Sequence, residues 1–198
     1  DKYMRGILNK EKGLLPPKAV LSHVCVVQNP GYHKLLVISD IAVIPAPDLK
    51  QKQAMIGYVA NTARALGVEK PKVAMITATE QMLPGMPACV EAAMLAKMSD
   101  RGQIAGCVVD GPLALDVALC KEAAEIKKLK SEVAGDADCL VFPSIEAANV
   151  FYKLGGHFIP GVKMAAMVAG AKAPCVLSSR ADSIDTKLNS IAIAALSV

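Results

Sequence analysis

The sequence contains no tryptophan, and its aromatic residues make up only 4% of the 198 positions. A core built on large aromatic rings is therefore excluded, although apolar residues account for 53% of the chain, which is enough for a substantial core. That core has to be built from alanine, valine, isoleucine, leucine and methionine. Such a composition favours buried, parallel sheets flanked by helices.

A strong excess of charge of either sign is also missing. The 22 basic and 18 acidic residues leave a net charge of only +4. There is no arginine-rich run, no interleaving of basic and aromatic residues and no zinc-ligand spacing, so we expect no nucleic-acid partner. The densest basic patch, residues 127–130, is typical of the solvated end of a helix.

Long apolar runs and paired cysteines are absent too. No apolar run approaches the ~20 residues that a membrane-spanning helix needs, and no signal peptide is recognisable, so we expect no membrane association. The cysteines are scattered without a C-x-x-C pair, which predicts reduced, buried thiols in a cytoplasmic protein. The six are Cys25, Cys89, Cys107, Cys120, Cys139 and Cys175.

Several common catalytic and cofactor motifs are missing. The sequence has no G-x-G-x-x-G after a strand and no G-x-x-x-x-G-K-[ST], which argues against dinucleotide and nucleoside-triphosphate binding. It has no H-E-x-x-H or other metal-ligand spacing, so we expect no metal site. The absence of a G-x-S-x-G elbow weakens a hydrolase assignment.

What the chain does have is a regular alternation of strand-like and helix-like segments. This alternation predicts an α/β fold with a parallel-rich sheet, and the turn at residues 29–31 predicts a hairpin between the first two strands. The predicted strands are residues 21–28, 35–38, 72–77, 104–109, 139–142, 164–168 and 173–177. The predicted helices are residues 3–12, 48–66, 86–98, 113–124, 145–153 and a last one from about residue 182, with a glycine-containing loop at 155–161.

Three predicted loops follow strands, at the edge where ligands bind in such sheets. They are residues 110–112 (Asp-Gly-Pro), 143–144 (Pro-Ser) and 178–180 (Ser-Ser-Arg). Each also fits a plain turn, and Asp136 and Asp138 fit the end of a loop before a strand. His23, inside a strand, fits a packed residue better than a catalytic one.

Residues 173–191 carry the clearest chemical signal. An apolar strand stops at Ser178, Ser179 and Arg180, and a helix follows with Asp182 and Asp185 in its first turn, where an acid also fits an N-cap. The start of a helix favours anions, and the arginine fork matches phosphate. The stretch therefore predicts a site for phosphate or a phosphorylated substrate. We expect the helix to have one apolar face, formed by Ile184, Leu188, Ile191 and Ala195.

Several blocks in the second half of the chain are similar, in order, to the phosphate acetyltransferase/phosphate butyryltransferase family. Their details resemble the butyryltransferase branch more closely than the acetyltransferase branch. Two positions depart from the family pattern: Ser144 stands where the family usually has Asp, and Ala148 where it usually has Gly. The blocks are 110–116 (DGPLALD), 133–138 (VAGDAD), 143–153 (PSIEAANVFYK), 170–174 (GAKAP), 179–183 (SRADS) and 187–191 (KLNSI).

The resemblance implies a two-domain α/β fold like that of isocitrate and isopropylmalate dehydrogenases, with the active site in the cleft between the domains. On that basis residues 14–165 are expected to form the middle domain. Residues 1–13 and 166–198 are then the remnant of a terminal domain whose amino-terminal part is missing. A homodimer or higher homo-oligomer is expected, and the chain is expected to be inactive alone.

The resemblance also implies an activity, the transfer of a short acyl group between coenzyme A and inorganic phosphate. Both would be small-molecule substrates, with no covalently bound cofactor. Arg180 is expected to bind phosphate, Ser179 to form hydrogen bonds at the reacting centre, and Asp182 or Asp185 to act as the base for the thiol. The expected substrate-binding residues are Arg5, for coenzyme A, and Ser144, Asn149 and Lys153.

Two alternatives remain. The altered Ser144 and Ala148, together with the missing amino-terminal part, also fit a non-catalytic acyl-CoA or phosphate-binding module. A dehydrogenase of the same architecture is disfavoured because no constellation of metal-binding carboxylates is present.

Overall fold

The computed structural model describes residues 2–9 and 11–197, so the outer domain limits at residues 1 and 198 lie outside the described residues. Helices and strands alternate through most of this part of the chain. They are α1 (Lys2–Ile7), β1 (Ser22–Gln28), β2 (Leu36–Ser39), α2 (Leu49–Ala65), β3 (Lys72–Ile76), α3 (Pro87–Asp100), β4 (Val108–Leu113), α4 (Leu115–Leu119), α5 (Lys121–Ile126), β5 (Cys139–Val141), α6 (Ile145–Phe158), β6 (Lys163–Ala169), β7 (Cys175–Val176) and α7 (Ile184–Leu196).

The described strands form one mixed sheet in the order β4-β3-β5-β2-β1-β6-β7. The pairs β4–β3, β3–β5 and β5–β2 are parallel, whereas β1 is antiparallel to both β2 and β6. Because β1 reverses the direction between β2 and β6, five strands run the same way and only β1 and β7 oppose them. The predicted α/β class with a parallel-rich sheet is confirmed.

The sheet separates two layers of apolar packing. Met55 and Val59 of α2 and Leu95 of α3 pack on one face, and Val117 of α4 and Ala148 of α6 pack on the other. The predicted start of α2 is confirmed, because the Asp48 carboxylate accepts the N–H of Gln51 while the Gln51 side chain accepts the N–H of Asp48. This reciprocal pair satisfies two N–H groups that a helix start otherwise leaves open.

The predicted hairpin is also confirmed. Strand β1 pairs with β2 from Val24 opposite Ser39 to Val27 opposite Leu36. In the turn, the side chain of Asn29 accepts a hydrogen bond from the backbone N–H of Gly31. This turn chemistry sets the register that carries Ser39 and the residue after it, Asp40, to the carboxyl edge of the sheet.

The apolar face predicted for α7 is exposed to solvent. Ile184, Leu188 and Ile191 are 82%, 63% and 59% exposed, and α7 instead buries Thr186, Ser190, Ile193 and Ala194. Strand β7 is short and pairs with β6 only at Met167 and Val168. The Oγ of Ser190 accepts the N–H of Ala166 at 2.9 Å, so α7 covers the part of the β6 edge that β7 leaves unpaired.

The predicted loop at residues 110–112 is also wrong, because these residues belong to β4. Strand β4 lies at the edge of the sheet, where Pro112 removes no ladder bond that a neighbouring strand needs. Gly111 is required by packing, since a Cβ there would lie 2.7 Å from the Cβ of Met75. The helix predicted at 113–124 is likewise two short helices, α4 and α5, which meet at Cys120.

The glycine-containing loop predicted at residues 155–161 begins later than expected. Helix α6 continues through Gly155 and Gly156 to Phe158. A Cβ on Gly156 would meet the terminal methyl of Met164 on β6, so the glycine lets this side chain pack closely against the helix.

Candidate functional site

A cavity of about 240 Å³ lies where the loop after β2, helix α6 and the loop after β7 meet. Three of the predicted site residues, Ser179, Asn149 and Lys153, line it. The other lining residues are His23, Ile41, Ala42, Tyr152, Leu177 and Ser178. The structure thus brings together polar side chains that lie up to 156 positions apart, from His23 to Ser179.

A larger groove, of about 710 Å³, lies elsewhere, between α2 and residues 167–174. None of the predicted site residues lines it, and Lys172 is the charged residue among those that do. We therefore place the candidate site in the smaller cavity, where convergent polar groups rather than size indicate chemistry.

The loop bearing Ser179 is held in place by Asp182. One carboxylate oxygen of Asp182, Oδ2, accepts the backbone N–H of Ser179 at 2.7 Å and the hydroxyl of Tyr152 at 2.9 Å. Burial first, and then the negative charges of neighbouring groups, raise the pKa of Tyr152 well above its usual range, so Tyr152 remains a donor. The helix itself begins at Ile184, two residues later than the sequence suggested, because Ser183 is the N-cap of α7, and Asp182 therefore lies before the helix.

Arg180 lies at the exposed end of this loop. Within residues 2–9 and 11–197, no hydrogen bond or ion pair engages its guanidinium. Asp185, in the first turn of α7, is exposed and does not line the cavity. The guanidinium of Arg180 is therefore available to an incoming anion. The two acids differ in their surroundings, because Asp182 accepts two hydrogen bonds whereas Asp185 is exposed.

The remaining predicted residues are divided between this cavity and other places. The side-chain N–H of Asn149 donates to the carbonyl of Ile41 at 3.0 Å, which ties α6 to the loop after β2. The Nζ of Lys153 lies 5.2 Å from the centroid of the Tyr152 ring. Ser144 is the N-cap of α6 and does not line the cavity. Arg5 is exposed on α1 and is also outside the lining.

Asp40 is a structural anchor that sequence reasoning missed. It is 2% exposed, and its Oδ1 accepts the backbone N–H groups of Ala42 and Val43, both at 2.8 Å. Its Oδ2 accepts the hydroxyl of Ser22 at 2.9 Å and the N–H of His23 at 3.1 Å. Four donors on one buried carboxylate fix the loop that forms one wall of the cavity.

His23 is buried, as the sequence suggested, but it also lines the cavity. Its Nε2 lies 2.7 Å from the carbonyl oxygen of Leu177, at the start of the Ser178–Ser179 loop. Burial lowers the pKa of His23, against the opposing effects of that carbonyl and of Asp40 and Asp182. The sequence alone does not single out Asp40 or His23, because an acidic residue after a strand and a histidine within a strand are both common.

Asp136 and Asp138 lie at the opposite edge of the sheet, before β5. Lys34 pairs with both carboxylates, at 2.9 and 2.8 Å, and Lys72 pairs with Asp136 at 2.6 Å. These residues tie the amino ends of β2, β3 and β5 together. The interpretation that they end a loop before a strand agrees with this position.

Residues 2–9 and 11–197 contain no group of three or more His, Cys, Asp or Glu side chains that could hold a metal ion. No helix in the same ranges is long and apolar enough to cross a membrane. All six cysteines are free; Cys120 is exposed and the others are buried.

Comparison with known proteins gives consistent matches along almost the whole chain. A family model described as "Phosphate acetyl/butaryl transferase" matches residues 2–195. A phosphate butyryltransferase of Clostridium acetobutylicum is 50% identical over 194 residues, which are 98% of this chain and 64% of that protein. A phosphate acetyltransferase of Thermotoga maritima is 45% identical over 193 residues, 98% of this chain and 65% of that protein.

A solved structure matches as well. The crystal structure of a branched-chain phosphotransacylase from Enterococcus faecalis V583 superposes with a TM-score of 0.87 at 32% identity. The match covers 98% of this chain and 68% of that one. The chain spans about 64% of the length of the curated relatives it matches.

Proposed function

The chain belongs to the phosphate acetyl/butyryl transferase family, and from that premise we propose that its protein transfers a short acyl group between coenzyme A and inorganic phosphate. The observation that carries the proposal is the family match over residues 2–195. The cavity adds support, because Ser179 and Lys153 line it. Arg180 is not among the lining residues, but it follows Ser179 in the chain and is exposed. Hydroxyl, ammonium and guanidinium donors suit a phosphate group.

The proposed reaction is attack of a phosphate oxygen on the thioester carbonyl of an acyl-CoA. A carbon–oxygen bond forms, the carbon–sulfur bond breaks, and the proton that leaves phosphate balances the proton gained by the thiol. Arg180 binds phosphate and stabilises the developing negative charge, and Ser179 donates a hydrogen bond at the reacting centre. Fixed donors placed where charge develops are the main means of accelerating such a step.

We propose different roles for the two acids of this region. Asp182 uses Oδ2 to hold the backbone of Ser179 and the hydroxyl of Tyr152, so we assign it first to positioning the loop. Asp185 is exposed in the first turn of α7, and we keep it as the candidate base for the thiol of coenzyme A. Arg5 is proposed to contact coenzyme A, whereas Asn149 and Ser144 shape α6 at the substrate side.

The larger arrangement is proposed on the family relationship. We propose a two-domain fold like that of isocitrate and isopropylmalate dehydrogenases, with residues 14–165 in the middle domain and residues 1–13 and 166–198 in a terminal domain. The limit at 165–166 falls inside β6, so the two parts share one sheet. We further propose a cytoplasmic homodimer or higher homo-oligomer, whose substrates bind without a covalent cofactor.

The alternative of a non-catalytic acyl-CoA or phosphate-binding module was motivated by Ser144 and Ala148. Ser144 caps α6, a role that Ser and Asp fill about equally well. Ala148 is fully buried in α6, where Ala is a better helix former than Gly. Both departures are therefore compatible with an intact site, which favours the enzyme.

The proposal is tested with the protein expressed from its complete reading frame. Acetyl-CoA, butyryl-CoA or a branched acyl-CoA is mixed with phosphate, free thiol is measured, and the acyl phosphate is trapped with hydroxylamine. We expect phosphate-dependent thiol release and a matching amount of hydroxamate with at least one of these substrates. Measurable coenzyme A binding without thiol release from any of them would instead establish the module.

A further inference from the structure

His23 joins the two walls of the candidate cavity. Its Nε2 atom lies 2.7 Å from the carbonyl oxygen of Leu177, at the start of the loop that carries Ser179 and Arg180. A carbonyl oxygen only accepts hydrogen bonds, so Nε2 carries the proton and donates it. The backbone N–H of His23 donates at 3.1 Å to Oδ2 of Asp40, the carboxylate that fixes the opposite wall. One residue therefore contacts the anchors of both walls.

The contact with Leu177 lies where the pairing of β7 with the sheet ends. Residues 175–176 pair with β6, and Leu177 is the first residue beyond that pairing. Residues 178–180 follow it before α7 begins. Within this loop the N–H of Ser179 donates to Oδ2 of Asp182 at 2.7 Å, which holds the backbone at a second point. The bond from His23 thus sets the place at which the loop leaves the sheet.

The bond to Leu177 accounts for a polar ring in a buried strand. Within residues 2–9 and 11–197, the other ring nitrogen of His23, Nδ1, is buried and has no hydrogen-bond partner. Burial lowers the pKa of His23, against the opposing effects of Leu177, Asp40 and Asp182, so the ring is neutral near pH 7 and Nε2–H is its one donor. An apolar side chain here would avoid the cost of burying Nδ1. The imidazole is therefore explained by the bond it makes to the loop.

We propose that His23 is a positioning residue for the proposed acyl transfer, whose Nε2–H holds the backbone of Leu177 and thereby sets the positions of Ser179 and Arg180. This inference rests on the proposed function, in which those two residues act on phosphate and at the reacting centre. His23 acts through the loop and does not have to touch a substrate. A displacement of about 1 Å at a reacting group costs up to about 100-fold in rate, so one bond at the base of the loop has a large effect.

Two substitutions of His23 separate the bond from the presence of a polar side chain. His23→Gln places an amide N–H near the position of Nε2, so the bond to Leu177 can persist. His23→Asn places its amide near the position of Nδ1, so that bond is lost although the side chain stays polar. Tyr58→Phe is the matched control, because the Tyr58 hydroxyl also donates to a backbone carbonyl at 2.7 Å, that of Val20, which does not line the cavity.

The variants are compared in protein from the complete reading frame, by phosphate-dependent thiol release from butyryl-CoA and acetyl-CoA. We expect His23→Asn to lower kcat at least about tenfold and to raise KM for phosphate, while KM for the acyl-CoA stays within about twofold. His23→Gln should keep kcat within about threefold of wild type, and Tyr58→Phe within about twofold. Equal losses of kcat in His23→Gln and His23→Asn, or a kcat of His23→Asn within about threefold of wild type, would overturn the proposal.

Two further measurements need no acyl-CoA. In wild-type protein with ¹⁵N-labelled histidine, the His23 resonances should show the Nε2–H tautomer near pH 7, and the Nδ1–H tautomer would overturn the proposal whether or not any variant folds. Amide hydrogen exchange of residues 178–182 should be faster in His23→Asn than in wild type and in Tyr58→Phe, and unchanged exchange would also overturn it. A protein that gives both expected results but releases no thiol would refute the proposed function and leave the hold of His23 on the loop intact.

Discussion

A single carboxylate oxygen organises the loop that carries Ser179. Oδ2 of Asp182 joins the backbone of that loop to the hydroxyl of Tyr152 on α6, so the loop is fixed relative to the cavity wall. Hydrogen bonds to a charged acceptor are stronger than those between neutral groups, which suits the role proposed for Ser179 at the reacting centre.

We predict that Tyr152→Phe lowers the free energy of unfolding by about 2 kcal/mol, because the partly buried carboxylate of Asp182 loses one of its two donors. Tyr58→Phe is the matched control, since the Tyr58 hydroxyl donates to the neutral carbonyl of Val20 at 2.7 Å. Tyr58→Phe should lower the free energy of unfolding by about 1 kcal/mol. Urea unfolding measures both, and an equal or larger loss in Tyr58→Phe would contradict the role assigned to Asp182.

Residues of the candidate site could be predicted from sequence where a local motif contains them. Ser179 and Arg180 follow a strand in one block, and Asn149 and Lys153 lie in another. Asp40 and His23 could not be found in this way. Their significance comes from the β1–β2 register and from a contact with Leu177, which is 154 positions away from His23.

At the level of elements, the edge of the sheet explains how α7 is placed. Strand β6 continues past the two residues of β7, and the buried stripe of α7 is mixed: Thr186 and Ser190 are polar, Ile193 and Ala194 apolar. Ser190 accepts the N–H of Ala166 and donates its own hydroxyl to the carbonyl of Thr186 at 2.6 Å. The helix thereby blocks an edge that could pair with another chain.

Ser190→Ala should therefore lower the free energy of unfolding by about 1–3 kcal/mol, because the buried N–H of Ala166 loses its acceptor. Ser197→Ala is the control: Ser197 is exposed near the end of α7 and donates only to Ile193 and Met167. Ser197→Ala should change the free energy of unfolding by no more than about 0.5 kcal/mol. If thermal or urea unfolding gives the two variants the same stability, the edge-covering role is wrong.

The ion network at the amino ends of β2, β3 and β5 predicts a dependence of stability on pH. Burial acts to raise the pKa of Asp136, but hydrogen bonds from Lys72, Lys34 and His33 outweigh it and hold the pKa well below its usual range. As the pH falls below about 4, the unfolded chain binds the proton first, so this stabilisation is lost progressively in acid.

Asp136→Asn should lower the free energy of unfolding by about 1 kcal/mol at pH 7, since the carboxylate is partly exposed. The difference in the free energy of unfolding between Asp136→Asn and wild type should stay constant down to about pH 5 and shrink below about pH 4. Asp100→Asn, which removes an exposed pair with Lys97, is the control and should change little. If the free energies of unfolding of wild type and Asp136→Asn differ by the same amount at pH 7 and at pH 3, the lowered pKa of Asp136 is contradicted.

Elements with strong local signals could be predicted, and those decided by tertiary packing could not. The start of α2 at Asp48 and the β1–β2 hairpin are local and were predicted correctly. Residues 110–112 belong to the edge strand β4, where a proline is tolerated, and Gly156 lies inside α6 beside Met164. Turn residues in sequence do not reveal either circumstance.

For the molecule as a whole, the opposite edges of the sheet have different tasks. The amino ends of β2, β3 and β5 carry the ion network that ties these strands together. The carboxyl end of β2 and the loop after β7 form the cavity with Ser179, His23 and Lys153. The position of the candidate site at the carboxyl edge agrees with the general rule for α/β sheets.

The most direct test of the central claim is the effect of Arg180 on phosphate-dependent thiol release from butyryl-CoA and acetyl-CoA, in protein from the complete reading frame. Lys187→Ala is the matched control, because Lys187 is another exposed cation, on the first half of α7. We predict that Arg180→Ala lowers the rate at least about 100-fold while Lys187→Ala stays within about twofold of wild type. Near-normal acyl transfer in Arg180→Ala would contradict the account.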